Sequence, residues 1–295
     1  MKIAIDSYCF HRYFGEIYPD LELPPPYAMT LLECIEHSIT LGIEGISIES
    51  FMLPNPSPQD IQQLKHLLTQ HQFELVWAWG HPSGLYSGQR PDILNELKQH
   101  IDIAQQLGAK VMRICAGGRK TRPVTDWQLH KAALLPLLQD AVVHAKQHNM
   151  ILALENHMDF YADEIVDLIQ SINSPYLGIC LDTANNLRML EDPWQAIEKM
   201  LPYAKATHIK DVKAFKGDPK TFSFWPSVPS GQGIIPLEKT LKWLAEHDYH
   251  GLLALEIDYL HPDYLQQGNE FQAIKTSIDY LKQIRASLHQ QQGVA

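Results

Sequence analysis

The 295-residue sequence has little cysteine, no long apolar run and no excess of basic residues. Its four cysteines, Cys9, Cys34, Cys115 and Cys180, lie far apart without CxxC spacing, which argues against a disulfide framework or a cysteine-based metal site. No segment approaches the ~18 consecutive apolar residues of a transmembrane helix, and the first residues lack a signal-peptide pattern. We therefore expect a cytoplasmic protein with reduced cysteines and no membrane partner.

Acidic residues outnumber basic residues. The chain has 34 Asp and Glu against 24 Lys and Arg, which gives a formal net charge of −10. Binding to a nucleic-acid backbone needs clustered Lys and Arg that displace counterions. The charge balance therefore predicts no nucleic-acid partner.

What the sequence does contain is an alternation of short apolar runs with helical patterns. Eight apolar runs have the length of strands, at residues 2–6, 43–50, 73–79, 110–117, 150–157, 177–182, 204–211 and 251–258. Segments with helical periodicity separate them, among them residues 27–42, 91–108 and 125–149. Because eight such units close into a barrel, the sequence predicts an α/β fold, a single (β/α)8 TIM barrel domain over residues 1–295.

Polar side chains end four consecutive runs. Barrel enzymes carry their chemistry at the carboxyl ends of the strands, and side chains alternate along a strand. If the leucines face the helices, four polar residues point into the barrel mouth: Glu155, Asp182, His208 and Glu256. Three carboxylates in one small volume repel each other unless a cation lies between them, which favours a divalent metal site. Separate roles as helix caps or ion pairs at the rim are the alternative.

The segments ALENH, CLDTAN, THIKD, GQG and ALEID, in this order, resemble the sugar isomerase/epimerase superfamily with a xylose isomerase-like barrel. The resemblance covers nearly the whole chain. It implies one divalent metal ion (Mn, Mg, Co or Zn) held by Glu155, Asp182, His208 and Glu256. It also implies that Glu155 and Glu256 exchange protons with a small polyhydroxy carbonyl substrate. The expected activity is that of a sugar or sugar phosphate isomerase or epimerase acting through a metal-stabilised enediolate, and a homo-oligomer is left open.

His157 leaves a second reaction open. It lies two residues beyond Glu155 on the same strand face, where it could act as the general acid that helps to expel a β-hydroxyl. Some dehydratases of the superfamily carry a similar Glu-x-His pair, so the alternative is a metal-dependent dehydratase of an inosose- or 3-dehydroshikimate-like substrate. A structural role for His157 is equally open. Outside the enzymes, the alternative is a silent sugar-binding barrel.

Two residues in earlier runs are candidate substrate contacts. Glu49 lies at the end of the second run and resembles a family position that contacts substrate hydroxyls; a salt bridge at the rim is the alternative. Arg113 points inward from the fourth run, and a buried guanidinium needs an anionic partner. That partner is either a neighbouring carboxylate (Glu49, Asp6 or Glu155) or a carboxylate or phosphate of the substrate.

His81 and Lys210 are the other candidate substrate contacts. His81 follows the third run in WAWGH, and Lys210 follows the candidate metal ligand His208. A plain loop histidine and a solvated lysine are the corresponding alternatives. Trp77 and Trp79 could either stack on a sugar ring or fill the core.

The sequence departs from parts of the superfamily at two positions. Ketose 3-epimerases usually have a histidine three residues after the metal-binding aspartate and an arginine six residues after the metal-binding histidine. Here those positions hold Asn185 and Ala214, which argues against 3-epimerase activity of that type without affecting the metal site. The acidic balance and the lack of additional paired ligands argue against the endonuclease IV branch. Asn156, on the opposite strand face from Glu155, is expected to support the site from behind.

Overall fold

Eight parallel strands form a closed barrel in the computed structural model, which describes residues 1–19, 21–214, 225–260, 264 and 270–293. In chain order the strands are β1 (Lys2–Asp6), β2 (Gly45–Glu49), β3 (Glu74–Trp79), β4 (Val111–Ile114), β5 (Ile151–Glu155), β6 (Leu177–Asp182), β7 (Ala204–Ile209) and β10 (Leu252–Leu255). Two short strands, β8 (Asp211–Val212) and β9 (Ser227–Val228), pair antiparallel outside the barrel. The first barrel strand, β1, pairs with the last, β10, which closes the sheet.

Helices connect the strands and surround the barrel. They are α1 (Leu31–Thr40), α2 (Pro58–Gln70), α3 (Leu94–Leu107), α4 (Trp127–Gln147), α5 (Ala162–Ile172), α6 (Asn185–Arg188), α7 (Pro193–Met200), α8 (Leu237–Glu246) and α9 (Glu270–Gly293). A 3₁₀ segment, Ser7–Phe14, follows β1 directly. The predicted (β/α)8 TIM barrel is therefore confirmed. Within the described ranges, no helix combines the length and apolarity needed to cross a membrane.

Helix ends follow local sequence signals. Thr30 and Glu33 form a reciprocal capping box at the start of α1, and Ser57 and Asp60 form the same arrangement at the start of α2. Gly108 ends α3 with φ 91°, a left-handed conformation that glycine adopts without steric cost. These signals fix where the chain turns back to the next strand.

Side-chain alternation divides the barrel into two apolar layers. Branched and aromatic residues of the strands face the helices, as Leu152 and Leu154 do in the large core cluster. Mainly small apolar residues fill the barrel interior, namely Ala4, Val76, Ala153, Cys180, Ala206 and Ala254, together with the larger Leu252. Because the interior is apolar in its amino-terminal half, the inward-facing polar side chains collect at the carboxyl ends of the strands.

Trp77 and Trp79 belong to the outer layer. Both are buried; Trp77 Nε1 donates to His100 Nδ1 at 3.2 Å and Trp79 Nε1 donates to Glu96 Oε1 at 3.0 Å, both on α3. Both side chains fill the core between β3 and α3 and do not stack on a sugar ring in the cavity.

Candidate metal centre and active-site cavity

Glu155, Asp182, His208 and Glu256 meet at the carboxyl end of the barrel. One ligand atom from each lies within 4.8 Å of the others. The four residues come from the ends of β5, β6, β7 and β10, and each is at most 7% exposed. The structure therefore brings the four predicted ligands into one buried cluster.

Asp182 is held so that one carboxylate oxygen is left over. Its Oδ1 accepts hydrogen bonds from the backbone N–H groups of Ala184 and Asn185, both at 2.8 Å, at the start of α6. Asn156 fixes the backbone of Asp182 from behind, donating to its carbonyl at 2.9 Å and accepting from its N–H at 2.8 Å. Asp182 Oδ2 is buried and makes no aligned hydrogen bond, and the ammonium group of Lys210 lies 3.0 Å from it, so this oxygen already faces a positive charge.

His208 is surrounded by carboxylates on both ring edges. Its Nδ1 lies 2.9 Å from Glu256 Oε2 and 3.5 Å from Glu155 Oε1. Its Nε2 lies 3.3 Å from Asp6 Oδ2. Neither ring nitrogen makes an aligned hydrogen bond. A carboxylate behind the imidazole is typical of metal-binding histidines, because it fixes the ring orientation.

Lys210 and Arg113 already balance part of the charge. Lys210 Nζ lies 3.0 Å from Asp182 Oδ2, 3.1 Å from Glu256 Oε1 and 3.2 Å from an oxygen of Asp258. Arg113 pairs with Glu49, and its Nε lies 3.2 Å from Glu155 Oε2. The anionic partners of Arg113 are therefore protein carboxylates.

The cluster has a surplus of negative charge. Around it, the described residues place six buried carboxylates (Asp6, Glu49, Glu155, Asp182, Glu256 and Asp258) and the cations Arg113, Arg188 and Lys210. Burial opposes charge on His208, but Cys180, Glu256 and Glu155 raise its pKa well above the ordinary value, so it adds a fourth positive charge. Burial raises the pKa of Asp182 to about 6, against the lowering effect of Lys210. Burial also opposes ionisation of Glu256, yet Lys210 and His208 lower its pKa to about 2. Three carboxylates and one imidazole fit a divalent cation, which would offset this surplus. Asp182, Glu256 and His208 each have a buried atom without an aligned hydrogen bond.

A small cavity, about 20 Å³ in volume, opens directly above the cluster. Every candidate substrate contact lines it, as do both candidate proton-transfer glutamates: Glu49, His81, Arg113, Lys210, Glu155 and Glu256. Glu49 Oε2 is buried without a hydrogen bond. Glu155 and Glu256 therefore line the cavity and also belong to the buried cluster.

His157 also lines the cavity, just beyond the end of β5. Its Nδ1 donates to the backbone carbonyl of Gly117 at 3.0 Å. β4 and β5 end three and two residues before their apolar runs do; after β4, the carbonyls of Cys115 and Ala116 accept instead from the backbone N–H groups of Leu85 and Ser87. Burial lowers the pKa of His157, so the ring is neutral with Nε2 as its proton-accepting atom.

Residues that sequence reasoning did not select complete the cavity wall. Arg188 of α6 forms a two-point ion pair with Asp258 at 2.7 and 3.2 Å and donates to the carbonyl of Trp225. Tyr8 and Tyr18 join through their hydroxyl groups at 3.1 Å. Two sequence features could have indicated these residues: the arginine at the end of α6, shortly after CLDTAN, and the aromatic residues after β1.

Asp211 holds the segment that follows β9. Its carboxylate accepts four backbone N–H groups, from Val212, Gly231, Gly233 and Ile235, at 2.8 to 3.1 Å. A Cβ at Gly233 would lie 2.0 Å from Asp211 Oδ1, so only glycine lets the backbone come this close. The GQG turn is therefore a structural clamp beside the cavity.

A family model described as xylose isomerase-like TIM barrel matches residues 35–284. The chain belongs to this family. Inosose dehydratase 1 of Bacillus cereus (strain ZK / E33L) is 24% identical over 251 residues, which cover 78% of this chain and 82% of that protein. The resemblance noted from the strand-end motifs is confirmed.

Two solved structures show the same fold as this xylose isomerase-like barrel. The D-psicose 3-epimerase from Clostridium cellulolyticum H10, solved with D-tagatose, has a TM-score of 0.73 at 18% identity, covering 98% of this chain and 99% of that chain. A xylose isomerase-like TIM barrel protein from Mycobacterium smegmatis in complex with magnesium has a TM-score of 0.72 at 18% identity, covering 97% of each chain. The proteins that this chain resembles include enzymes and a metal-binding barrel.

The two departures from the 3-epimerase pattern occupy different places in this family member. Asn185 lines the cavity, and its Nδ2 donates to Glu155 Oε1 at 3.3 Å. Ala214 is exposed. The cavity instead contains the guanidinium of Arg188, which arrives from α6. The cavity of this protein therefore has an arginine on α6.

Proposed function

We propose that the protein is a divalent-metal-dependent isomerase or epimerase of a small polyhydroxy carbonyl compound, a sugar or sugar phosphate. One observation carries the proposal: Glu155 and Glu256 belong to the buried ligand cluster and also line the cavity. Each glutamate can therefore contact both a metal and the reacting carbon of a substrate. Two carboxylates with this double access are what proton transfer between two carbon positions requires.

Glu155, Asp182, His208 and Glu256 would hold the metal. A divalent metal bound there polarises the substrate carbonyl and stabilises the negative charge that develops on its oxygen. The residues themselves transfer the proton. Burial opposes charge on both glutamates, but His208 and Arg113 lower the pKa of Glu155, and Lys210 and His208 lower that of Glu256. Both are ionised at neutral pH and act as bases.

The two glutamates reach the cavity from strands that are separated by β6 and β7. One glutamate removes the proton next to the carbonyl, and either the same or the other glutamate returns it. The unpartnered oxygen of Glu49 and the ammonium group of Lys210 face the same cavity. They provide an acceptor and a donor that orient substrate hydroxyls.

An aromatic wall covers one side of the cavity. Tyr8 lies with its ring centroid 4.7 Å from that of His81, and His81 lies 5.5 Å from His157. Burial, the largest effect, lowers the pKa of His81 to about 3, so this wall is uncharged at neutral pH. It suits the apolar face of a sugar or cyclitol ring and excludes bulk water from the reacting carbon.

Dehydration is the second candidate function, and two observations favour it. His157 faces the cavity two residues after Glu155, and the chain matches inosose dehydratase over 78% of its length. In this reaction a glutamate removes the proton and a group beside the leaving hydroxyl supplies one. His157 Nε2 would take a proton from solvent before the reaction and deliver it to the leaving hydroxyl, which departs as water, and the glutamate would then release to solvent the proton that it took from carbon.

Incubation with candidate substrates in deuterated water distinguishes these functions. The metal-loaded protein is given a panel of ketoses, ketose phosphates, inososes and 3-dehydroshikimate. Deuterium in recovered isomeric sugar supports the isomerase or epimerase, and an absorbing enone supports the dehydratase. Tight binding with neither outcome would overturn both and favour a silent sugar-binding barrel.

A further inference from the structure

A second group of metal-binding side chains lies outside the barrel, between α3 and α4. His144 lies in the last turn of α4, His148 follows the last residue of that helix, and Asp102 lies in α3. Asp102 Oδ1 accepts a hydrogen bond from His144 Nε2 at 2.8 Å, and His148 Nε2 lies 3.1 Å from the same oxygen. Two imidazole nitrogens therefore converge on one carboxylate oxygen.

The backbone holds these three side chains in place. Histidines four residues apart lie on one helix face, and the two rings have centroids 4.8 Å apart. Buried residues of both helices, including Ile101 and Ala141, fix the position of α3 against α4. The cluster is thus ordered before any ion binds.

The neighbouring polar pair shows what is unusual about this cluster. One turn earlier along both helices, Lys98 Nζ pairs with Asp140 Oδ2 at 2.8 Å, one cation with one anion. At the next position a single carboxylate, Asp102, faces two histidines. One histidine would be enough to form an ion pair with Asp102. The second histidine is therefore an additional nitrogen that could bind a metal.

We propose that Asp102, His144 and His148 form a peripheral binding site for a transition-metal cation of the Zn²⁺, Ni²⁺ or Cu²⁺ class. Imidazole nitrogens favour these ions over Mg²⁺. A tetrahedral zinc site with bonds of about 2.0–2.2 Å separates its ligand atoms by little more than the 2.8 and 3.1 Å seen here, so small side-chain rotations suffice. The negative end of the α4 dipole also favours a cation at this position.

The site is open to solvent and independent of the barrel cluster. The side chains of His144, His148 and Asp102 are 23%, 29% and 45% exposed, which leaves room for water to complete the coordination. None of the three lines the cavity above the barrel. A metal bound there links α3 to α4 from outside.

Zinc binding to the full chain tests this site. Equilibrium dialysis with metal analysis gives the number of Zn²⁺ ions per chain for the wild type and for the double variant His144→Gln and His148→Gln. A matched control, His66→Gln with His71→Gln, changes two exposed histidines five residues apart, whose spacing puts them on different faces of α2. Melting temperatures without metal verify that each variant folds.

The double variant is expected to bind one ion fewer than the wild type, or to bind it at least about tenfold more weakly, while the control matches the wild type. Copper EPR of the wild type should show nitrogen coupling from two imidazoles that the double variant loses. Equal zinc binding by the wild type and the double variant would overturn the site. If the barrel cluster also binds zinc, the wild type binds two ions and the double variant binds one. If the barrel cluster binds no zinc, the wild type binds one ion and the double variant binds none. The loss of one ion in the double variant therefore reports on the peripheral site in either case.

Discussion

The two carboxylate oxygens of Asp182 have different environments, and Glu256 also has an oxygen without an aligned hydrogen bond. One oxygen is fixed by backbone N–H groups, and the other is buried without a hydrogen bond. Glu256 Oε2 is likewise buried without an aligned hydrogen bond, 2.9 Å from His208 Nδ1. Buried polar atoms that lack aligned hydrogen bonds cost free energy, and their convergence supports the metal centre proposed above.

The substitution Glu256→Gln removes the charge of a proposed ligand and base while conserving its shape. We expect turnover to fall by at least about 10²-fold, since general base catalysis contributes about 10²–10⁴, with the melting temperature little changed. Steady-state kinetics and circular dichroism measure the two effects. Glu198→Gln, an exposed glutamate of α7, is the control and should keep full turnover. Unchanged activity in the Glu256 variant contradicts the proposed role.

His157→Gln distinguishes the two candidate reactions. If the enzyme is a dehydratase with His157 as proton donor, enone formation falls by about 10²–10⁴ while deuterium still exchanges at the carbon beside the carbonyl. If His157 only supports the loop through Gly117, both rates fall together and by less. Comparing the two rates by NMR and absorbance gives the answer, and a loss confined to exchange would contradict both roles.

Asp258 contributes stability that depends on pH. Burial would raise its pKa, but Arg188 and Lys210 hold it well below the ordinary value. A carboxylate with a lowered folded-state pKa stabilises the fold above its unfolded pKa of about 3.9, and this contribution is lost as pH falls further. Asp258→Asn should therefore cost about 3 kcal/mol at pH 7. Urea unfolding should show the difference from wild type narrowing below about pH 4; a difference that widens there would contradict this.

Short elements beside the barrel position the cavity wall. Asp211 of β8 clamps the segment after β9, and Ser227 of β9 donates to Asp258 Oδ1 at 2.6 Å. Asp258 in turn pairs with Arg188 of α6. The clamp, the small sheet and α6 therefore form one connected support for a single side of the cavity.

Asp211→Ala should loosen this support. Four backbone N–H groups lose a charged acceptor, which we expect to cost about 3 kcal/mol and to speed hydrogen exchange in residues 231–235. Asp163→Ala, which removes an exposed partner of Lys199, is the matched control and should change stability by no more than about 1 kcal/mol. Equal exchange rates in residues 231–235 of the wild type and the Asp211 variant would contradict the clamp.

At the scale of the whole molecule, the sequence predicted what depends on local periodicity. The alternation in ILALE placed Glu155 inside because Leu152 and Leu154 had to face helices, and the same rule applied to Asp182 and Glu256. Pairs that join distant segments could not be predicted in this way. Arg188 and Asp258 are 70 residues apart, and no periodic pattern relates them.

The contacts of the aromatic and imidazole groups at the cavity also could not be predicted from local periodicity. His157 could be assigned to the correct face, but its bond to the Gly117 carbonyl depends on how two loops pass each other. Tyr8, in the segment Ser7–Phe14, and Tyr18, after it, both line the cavity, which the run of aromatic residues alone did not specify.

The most direct test is crystal diffraction from protein soaked with Mn²⁺, with data collected to show the anomalous signal of manganese. The proposed metal centre predicts one strong peak at the barrel mouth, about 2.0–2.6 Å from oxygen or nitrogen atoms of Glu155, Asp182, His208 and Glu256. A cavity without a peak at saturating manganese, with Lys210 still between Asp182 and Glu256, would contradict the metal centre and the chemistry proposed from it.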